Sequence, residues 1–452
     1  MENIRENKMG TQPVGRLMLS MSLPIMISML VQALYNIVDS IFVAKVSEDA
    51  LTAVSLAFPI QTLMIAVGAG TGVGIKALLS KSLGEKEFEK ANSSANNGIF
   101  LAFFSFVLFV VIGLCFTALF YNVQTNNADI RQYGKDYLYI VSTASLGLFM
   151  QMTFENLLQS TGKTVYSMYT QGLGAIINLI LDPCLIFGFG PFPKMGVSGA
   201  ALATVIGQFC AAALGLVLNM RVNKEIVVSL KKYPPKLKMI KKIYAVGLPS
   251  IIMQSIGSVM TYSLNKILIG YSETAVAVLG VYFKLQSFIF MPVFGLNNGY
   301  IPIVAYNYGA RKKKRMIQAF KYGSIYAVSI MAVGMILFLT IPKILLGFFD
   351  ASDEMLKIGV PALRIISLHF VIASFSIMMI STLQALGRGV YSMIVSFSRQ
   401  IIVLLPAAYL LSKFIGLRAI WWAFPIAEVV SMTLCALFLR KVYIKTVKPM
   451  ED

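Results

Sequence analysis

The chain has 452 residues, 57% of them apolar and only 13% charged. A soluble globular domain carries roughly 25% charged residues, so a water-soluble fold is excluded, and the formal charge of +19, with no soluble segment long enough to carry a nucleic-acid surface, belongs to loops at a membrane face. Cys115, Cys184, Cys210 and Cys435 stand singly in apolar runs with no CxxC and no partnering histidine, so neither a disulfide framework nor a zinc site is indicated, and no cofactor is expected.

Stretches such as 50–75, 195–220 and 243–265 contain no charged side chain and are long enough to cross a hydrocarbon core of about 30 Å as helix. Apolar windows set against charged or turn-rich breaks predict an all-α, polytopic membrane protein of twelve spans, near 17–44, 50–79, 93–121, 137–160, 164–188, 195–220, 240–270, 275–305, 318–341, 355–385, 390–412 and 417–440. The first run is longer than a signal-peptide core and holds Asp39 near its end, so it is read as a span. Lys and Arg concentrate in 221–242 and at Arg311–Arg315, which places both termini in the cytoplasm. The Arg311–Lys314 cluster is a solvated topology signal, with a lipid-headgroup contact as its alternative.

An ionised side chain at mid-membrane costs roughly 2.5–3.5 kcal/mol, so each one calls for a partner, a cavity or a task. In the first span Ser28, Gln32, Tyr35 or Asn36, and Asp39 recur at three- and four-residue steps and form a polar stripe that must face protein or water. Pro24 lies below the stripe and invites a kink. Glu155 in the fourth span, beside Asn156 and Gln159, reads as an interhelical or loop anchor. In the fifth span Asn178 and Asp182 share a face, and Pro183 follows. An amide and a carboxylate can ligate a hard cation or share a proton. Should Asp39 lie close, the two carboxylates would not both stay ionised without a proton or a cation between them. Spacing alone does not establish that the first and fifth spans touch.

Sliding the chain over itself by 225 positions superposes Leu23-Pro24 on Leu248-Pro249, Ser47-Glu48 on Ser272-Glu273, Gly70 and Gly74 on Gly295 and Gly299, and Tyr166-Ser167-Met168 on Tyr391-Ser392-Met393. After the fifth span the offset drops to 220, Gly196 falling on Gly416, so the first copy has the longer loop there. Six spans per copy is an even number, so the copies are parallel repeats, the plan of many transporters. The expected organisation is an N-terminal lobe at 1–220, a basic cytoplasmic linker at 221–242 and a C-terminal lobe at 243–452. The second copy lacks the acids: Leu264 replaces Asp39 and Ala407 replaces Asp182. It keeps a neutral stripe with Gln254, and its charged candidates are Lys284 and Glu428, either a pair tying the eighth span to the twelfth or transport residues. His369, the chain's one histidine, is a packed side chain or a proton handler.

The runs Leu23-Pro24-Ile25-Met26-Ile27 and Gln32 to Val43, with Asn178-Leu179-Ile180-Leu181-Asp182-Pro183 and the Gly196–Thr204 segment, strongly resemble the multidrug and toxic compound extrusion (MATE) family, and the resemblance extends over essentially the whole chain. It implies an antiporter of the bacterial plasma membrane, working as a monomer, that expels organic and mostly cationic compounds in exchange for inward H⁺ or Na⁺. By that resemblance Tyr35, Asp39, Asn178, Asp182 and Thr204 form the N-lobe pocket, Na⁺ when it is the ion sits among Asp39, Asn178, Asp182 and Thr204, and Pro24 is linked to bending of the first helix. Gln32, Asn36, Gln254, Lys284, His369 and Glu428 remain as substrate or secondary charge sites. Two rivals are weighed. A flippase of lipid-linked substrates on the same architecture should show a cationic central cavity. An intramembrane enzyme needs paired aspartates in a GxGD-like context, a Ser–His pair or HExxH, none of which is present.

Overall fold

The computed structural model describes residues 7–349 and 351–450, which are almost entirely helical. Backbone groups inside a bilayer find no water to bond, and the α-helix satisfies them within one segment. The first half comprises α1 (Lys8–Thr11), α2 (Val14–Ala44), α3 (Glu48–Gly84), α4 (Phe88–Gln124), α5 (Ala128–Thr143), α6 (Leu146–Ser160), α7 (Thr164–Phe187) and α8 (Val197–Arg221). The second comprises α9 (Leu237–Ile269), α10 (Glu273–Gly309), α11 (Lys313–Thr340), α12 (Pro342–Gly347), α13 (Asp353–Ser367), α14 (Phe370–Ala385), α15 (Gly389–Phe397), α16 (Leu405–Phe414), α17 (Leu417–Ile420) and α18 (Ala423–Val442). A π-helical segment, Ser398–Leu404, joins α15 to α16.

Among the described residues ten helices are long and apolar enough to span a membrane, and twelve spans result when each of two bent pairs counts as one. The pairs are α5 with α6, bent by 46°, and α13 with α14, bent by 47°. The sequence predicts both as single spans. Hydroxyls that compete with the helical ladder sit at both breaks: at the first, Ser142 and Thr143 turn back to the carbonyls of Leu138 and Tyr139, and at the second, Ser367 bonds the carbonyl of Arg364. The π-helical segment is likewise absent from the sequence reading, because one extra residue per turn leaves no apolar signature.

The duplication is written into the backbone. Ser47 and Ser272 are both N-caps in extended conformation, accepting from the amides of Ala50 and Ala275 at 3.0 and 3.1 Å. Among the described residues, the non-glycine residues with positive φ are Lys86 (59°) and Arg311 (55°), which are equivalent positions. The longer first-copy loop lies between Phe187 and Val197, against a two-residue gap between Phe414 and Leu417.

Two compact units result, 27–248 and 1–26 with 249–452. The division falls inside α2 and inside α9, so each of these helices gives its first turns to one unit and the remainder to the other, whereas the repeat assigns each helix whole to its own lobe. In unit 27–248 the start of α9 presses on α3: a Cβ on Gly74 would stand 2.2 Å from the carbonyl oxygen of Ile243. In the other unit the start of α2 presses on α10, where a Cβ on Gly299, the repeat equivalent of Gly74, would stand 2.9 Å from Cα of Ser22. The segment before α9 is held by α4, since Asn92 and Asn96 accept from the amides of Val227 and Ser229, and Asn97 from that of Lys236. The chain ends at 1–6 and 451–452, on which the expectation of cytoplasmic termini falls, lie outside the described residues.

Candidate functional site

Unit 27–248 gathers the acids. On α2, Tyr35 and Asp39 are one turn apart, and on α7, Asn178 and Asp182 are one turn apart and buried, at 4% and 1% exposure. The structure brings the two helices together, which spacing left open: the carboxyl groups of Asp39 and Asp182 are within hydrogen-bonding reach of each other. Oδ1 of Asp39 is buried and meets no donor among the described residues. Asn178 bridges to α8. With its amide turned so that each atom meets a complementary group, the nitrogen donates to Asp182 Oδ2 at 3.2 Å, and the oxygen accepts from the amide and hydroxyl of Thr204 at 3.1 and 3.2 Å. The bridge depends on close helices, and small residues permit them: a Cβ on Gly207 would stand 2.7 Å from the carbonyl of Gly174.

Beside this cluster lies a small cavity of about 40 Å³, its polar wall formed by Gln32 and Tyr35 of α2, Gln151 of α6, Gln171 and Asn178 of α7, and Thr204 and Gln208 of α8. Gln32 lies beside the Tyr35 hydroxyl in this wall. The family resemblance implies Tyr35, Asn178 and Thr204 here, Gln32 is a substrate or secondary charge candidate that lines the same wall, and Gln151, Gln171 and Gln208 are not among the sequence candidates. The available signal was amides spaced along otherwise apolar spans, and each occurs singly within its heptad. Tyr137 of α5 was missed as well; its hydroxyl accepts from Gln61 at 2.8 Å and lies within range of the Asp39 charge.

The remaining candidates lie elsewhere. Asn36 is exposed and absent from the cavity wall, because one residue of helix turns it about 100° from Tyr35. Pro24 is buried in an α2 that runs unbroken through it. Gln254 is exposed on α9 and donates at 3.5 Å to the carbonyl of Ser250. Lys284 and Glu428 do not pair. Glu428 takes its ion pair from Arg399 at 3.0 Å, and Lys284 sits 5.9 Å over the ring of Phe349. Arg399 belongs to the π-helical segment and reaches Glu428 of α18 from there. His369, 5% exposed at the α13–α14 bend, donates Nδ1–H to the carbonyl of Ile366 and packs among Phe290, Phe370 and Phe424. It is a packed side chain within electrostatic range of Glu428.

Comparison with known proteins follows the same division. The multidrug export protein MepA of Staphylococcus haemolyticus (strain JCSC1435) is 27% identical over 424 residues, 94% of this chain and 92% of the relative, and MepA of Staphylococcus aureus (strain MSSA476) is 26% identical over 430 residues with the same coverage. A solved structure described as the outward-facing conformation of a multidrug resistance MATE family transporter of the MOP superfamily superposes with a TM-score of 0.92 at 23% identity, covering 99% of this chain and 100% of that one. The MatE family profile matches residues 24–184 and again 249–410, once in each repeat. The chain therefore belongs to the MATE family of multidrug efflux transporters.

Proposed function

We propose that the chain is an antiporter of the plasma membrane, both termini cytoplasmic and active as a monomer, that exports organic cations against inward H⁺, with Asp39 and Asp182 as the exchange site. One observation carries this reading: the buried carboxyl group of Asp182 and the half-buried one of Asp39, whose Oδ1 is itself buried, lie within hydrogen-bonding reach of each other beside a cavity walled by neutral amides and hydroxyls. Such a pair holds a proton or a cation, and mutual repulsion disfavours the state with neither. An organic cation entering the cavity stabilises the ionised pair, and a proton entering from outside neutralises it and weakens the hold on the cation. Tyr35 and Asn178 position the acids, with Thr204 fixing the amide. The MepA relatives are named for multidrug export, which supports drug-like substrates.

Na⁺ is the second coupling ion to consider, since Asp39, Asn178, Asp182 and Thr204 offer the oxygen donors a hard cation takes. Proton coupling is favoured because the Asn178 oxygen is engaged by Thr204 and the nitrogen faces Asp182, so the amide presents no oxygen toward the acids. The carboxyl pair beside the neutral cavity weighs against an anionic lipid-linked substrate. In proteoliposomes carrying a fluorescent organic cation, efflux is expected under an imposed H⁺ gradient, absent under Na⁺ alone, and lost in Asp39→Asn. Efflux driven by Na⁺ would move the assignment to that ion, and no movement under either gradient with folded protein would overturn exchange.

A further inference from the structure

A second pair of buried ionisable groups lies in the same unit, outside the carboxylate pair. Glu155 on α6 is 5% exposed, and its Oε1 accepts from Gln151 at 2.9 Å and from the Thr170 hydroxyl of α7 at 3.4 Å. Gln151 is itself in the cavity wall, so a single side chain separates Glu155 from the cavity. Near it is Lys76 of α3, 2% exposed, which donates to Gln159 Oε1 at 3.2 Å and whose charge acts on Glu155. Gln159 passes the chain on to the Ser167 hydroxyl at 2.9 Å. The helices are tight here: a Cβ on Gly72, one turn before Lys76, would stand 2.2 Å from Nδ2 of Asn156. The charge on Glu155 is also felt by the Tyr35 hydroxyl of α2, in the opposite wall of the cavity.

No other formal charge among the described residues of the helices packed on α6 competes for Glu155: α3 carries Glu48 and Asp49 in its first turn and Lys81 in its last, where Lys81 pairs with Glu85 at 3.6 Å. α4 carries its charges, Glu89 and Lys90, in its first three residues, and α8 carries only Arg221, in its last turn. The acid of α7 is Asp182, three turns along from Thr170. Ionised Glu155 against Lys76 and protonated Glu155 beside Gln151 are therefore the two states open to it. In a low-dielectric interior desolvation and pairing oppose each other, so such states lie close in free energy. A positive charge arriving in the cavity selects between them, because it favours the ionised carboxylate.

We propose that Glu155 and Lys76 form a second proton-exchange site, joined to the cavity by Gln151, so that binding one monovalent organic cation displaces one proton from the Asp39–Asp182 pair and a second from Glu155. The second proton leaves the Glu155 carboxyl for cavity water, and the carboxylate left behind is balanced by Lys76. The site rests on the antiport reading and adds a stoichiometry to it. Exchange of two protons for one monovalent cation carries net charge and responds to membrane potential.

The test counts protons released on binding ethidium to purified protein in weakly buffered solution with a pH indicator. Native protein is expected to release about one proton more per ethidium than Glu155→Gln, by the reciprocity of linked binding. Lys76→Met should also lose that proton, because without the ammonium group the Glu155 carboxyl stays protonated throughout, and Glu155→Asp should retain it. A folded Glu155→Gln or Lys76→Met variant that binds ethidium and releases as many protons as native protein would overturn the second site and leave antiport standing. No release from native protein would overturn proton antiport itself. Vesicles of native protein decide the matter if neither variant folds: ethidium transport at equal pH should respond to an imposed K⁺ diffusion potential, and electroneutral transport would contradict the proposal.

Discussion

Glu428 has 3% of its side chain exposed and is neutralised by Arg399, while its Oε1 meets no donor among the described residues. Removing one partner of such a pair strands the other, at a cost of about 3–5 kcal/mol. Arg399→Met should therefore lower the thermal unfolding temperature markedly, and the Arg399→Met/Glu428→Gln double variant should recover most of the loss. Fluorescence-monitored unfolding in detergent checks this, and a double variant no better than the single would show that the guanidinium matters through packing. The sequence offers Lys284 as the partner because both residues are charges in apolar spans, and charge and span membership alone do not say which of two cations faces Glu428. Tyr35, Asn178 and Asp182 were legible because polar groups in a membrane helix have to face something. Gln151, Gln171 and Gln208 were not, because an isolated neutral amide costs too little to stand out.

Turn chemistry and close approach govern the helices. Ser47 and Ser272 cap α3 and α10 through equivalent bonds, so Ser47→Ala and Ser272→Ala should each cost about 0.5–2 kcal/mol and by similar amounts. A thermal-shift assay on both variants tests the equivalence, and a loss at one cap alone would contradict it. At Gly74 the obstacle is backbone, the Ile243 carbonyl 2.2 Å from an added Cβ, whereas Gly172 has nothing within 4 Å. Gly74→Ala should be destabilised by about 1–3 kcal/mol from overpacking, and Gly172→Ala should unfold at or slightly above the native temperature. Both glycines stand in apolar runs, and only the packing separates them. The same limit hid the bends near residues 144 and 368, since the hydroxyls that compete with the ladder there sit in windows whose average hydropathy is that of an intact span.

At the scale of the whole chain, the two-fold repeat was the strongest signal in the sequence, because a fixed offset sums many weak matches. It extends to matched caps and to the matched positive φ of Lys86 and Arg311. It did not reveal that α2 and α9 each contribute to both units, since a repeat states which residues are equivalent and not which surfaces they meet. Nor do the copies share chemistry: the acids lie in 27–248, and the equivalent positions of the second copy hold Leu264 and Ala407. Exchange of a proton for a cation at Asp39 and Asp182 has a direct thermodynamic signature. Protonation competes with the cation, so affinity must fall as pH falls, by about tenfold per pH unit for each proton exchanged. The decisive measurement is the dissociation constant of a fluorescent organic cation across a pH titration, for native protein and for Asp39→Asn/Asp182→Asn. Affinity that weakens toward acid in native protein, with a smaller slope in the variant, is the expected result, and native affinity independent of pH would contradict exchange at the carboxylate pair.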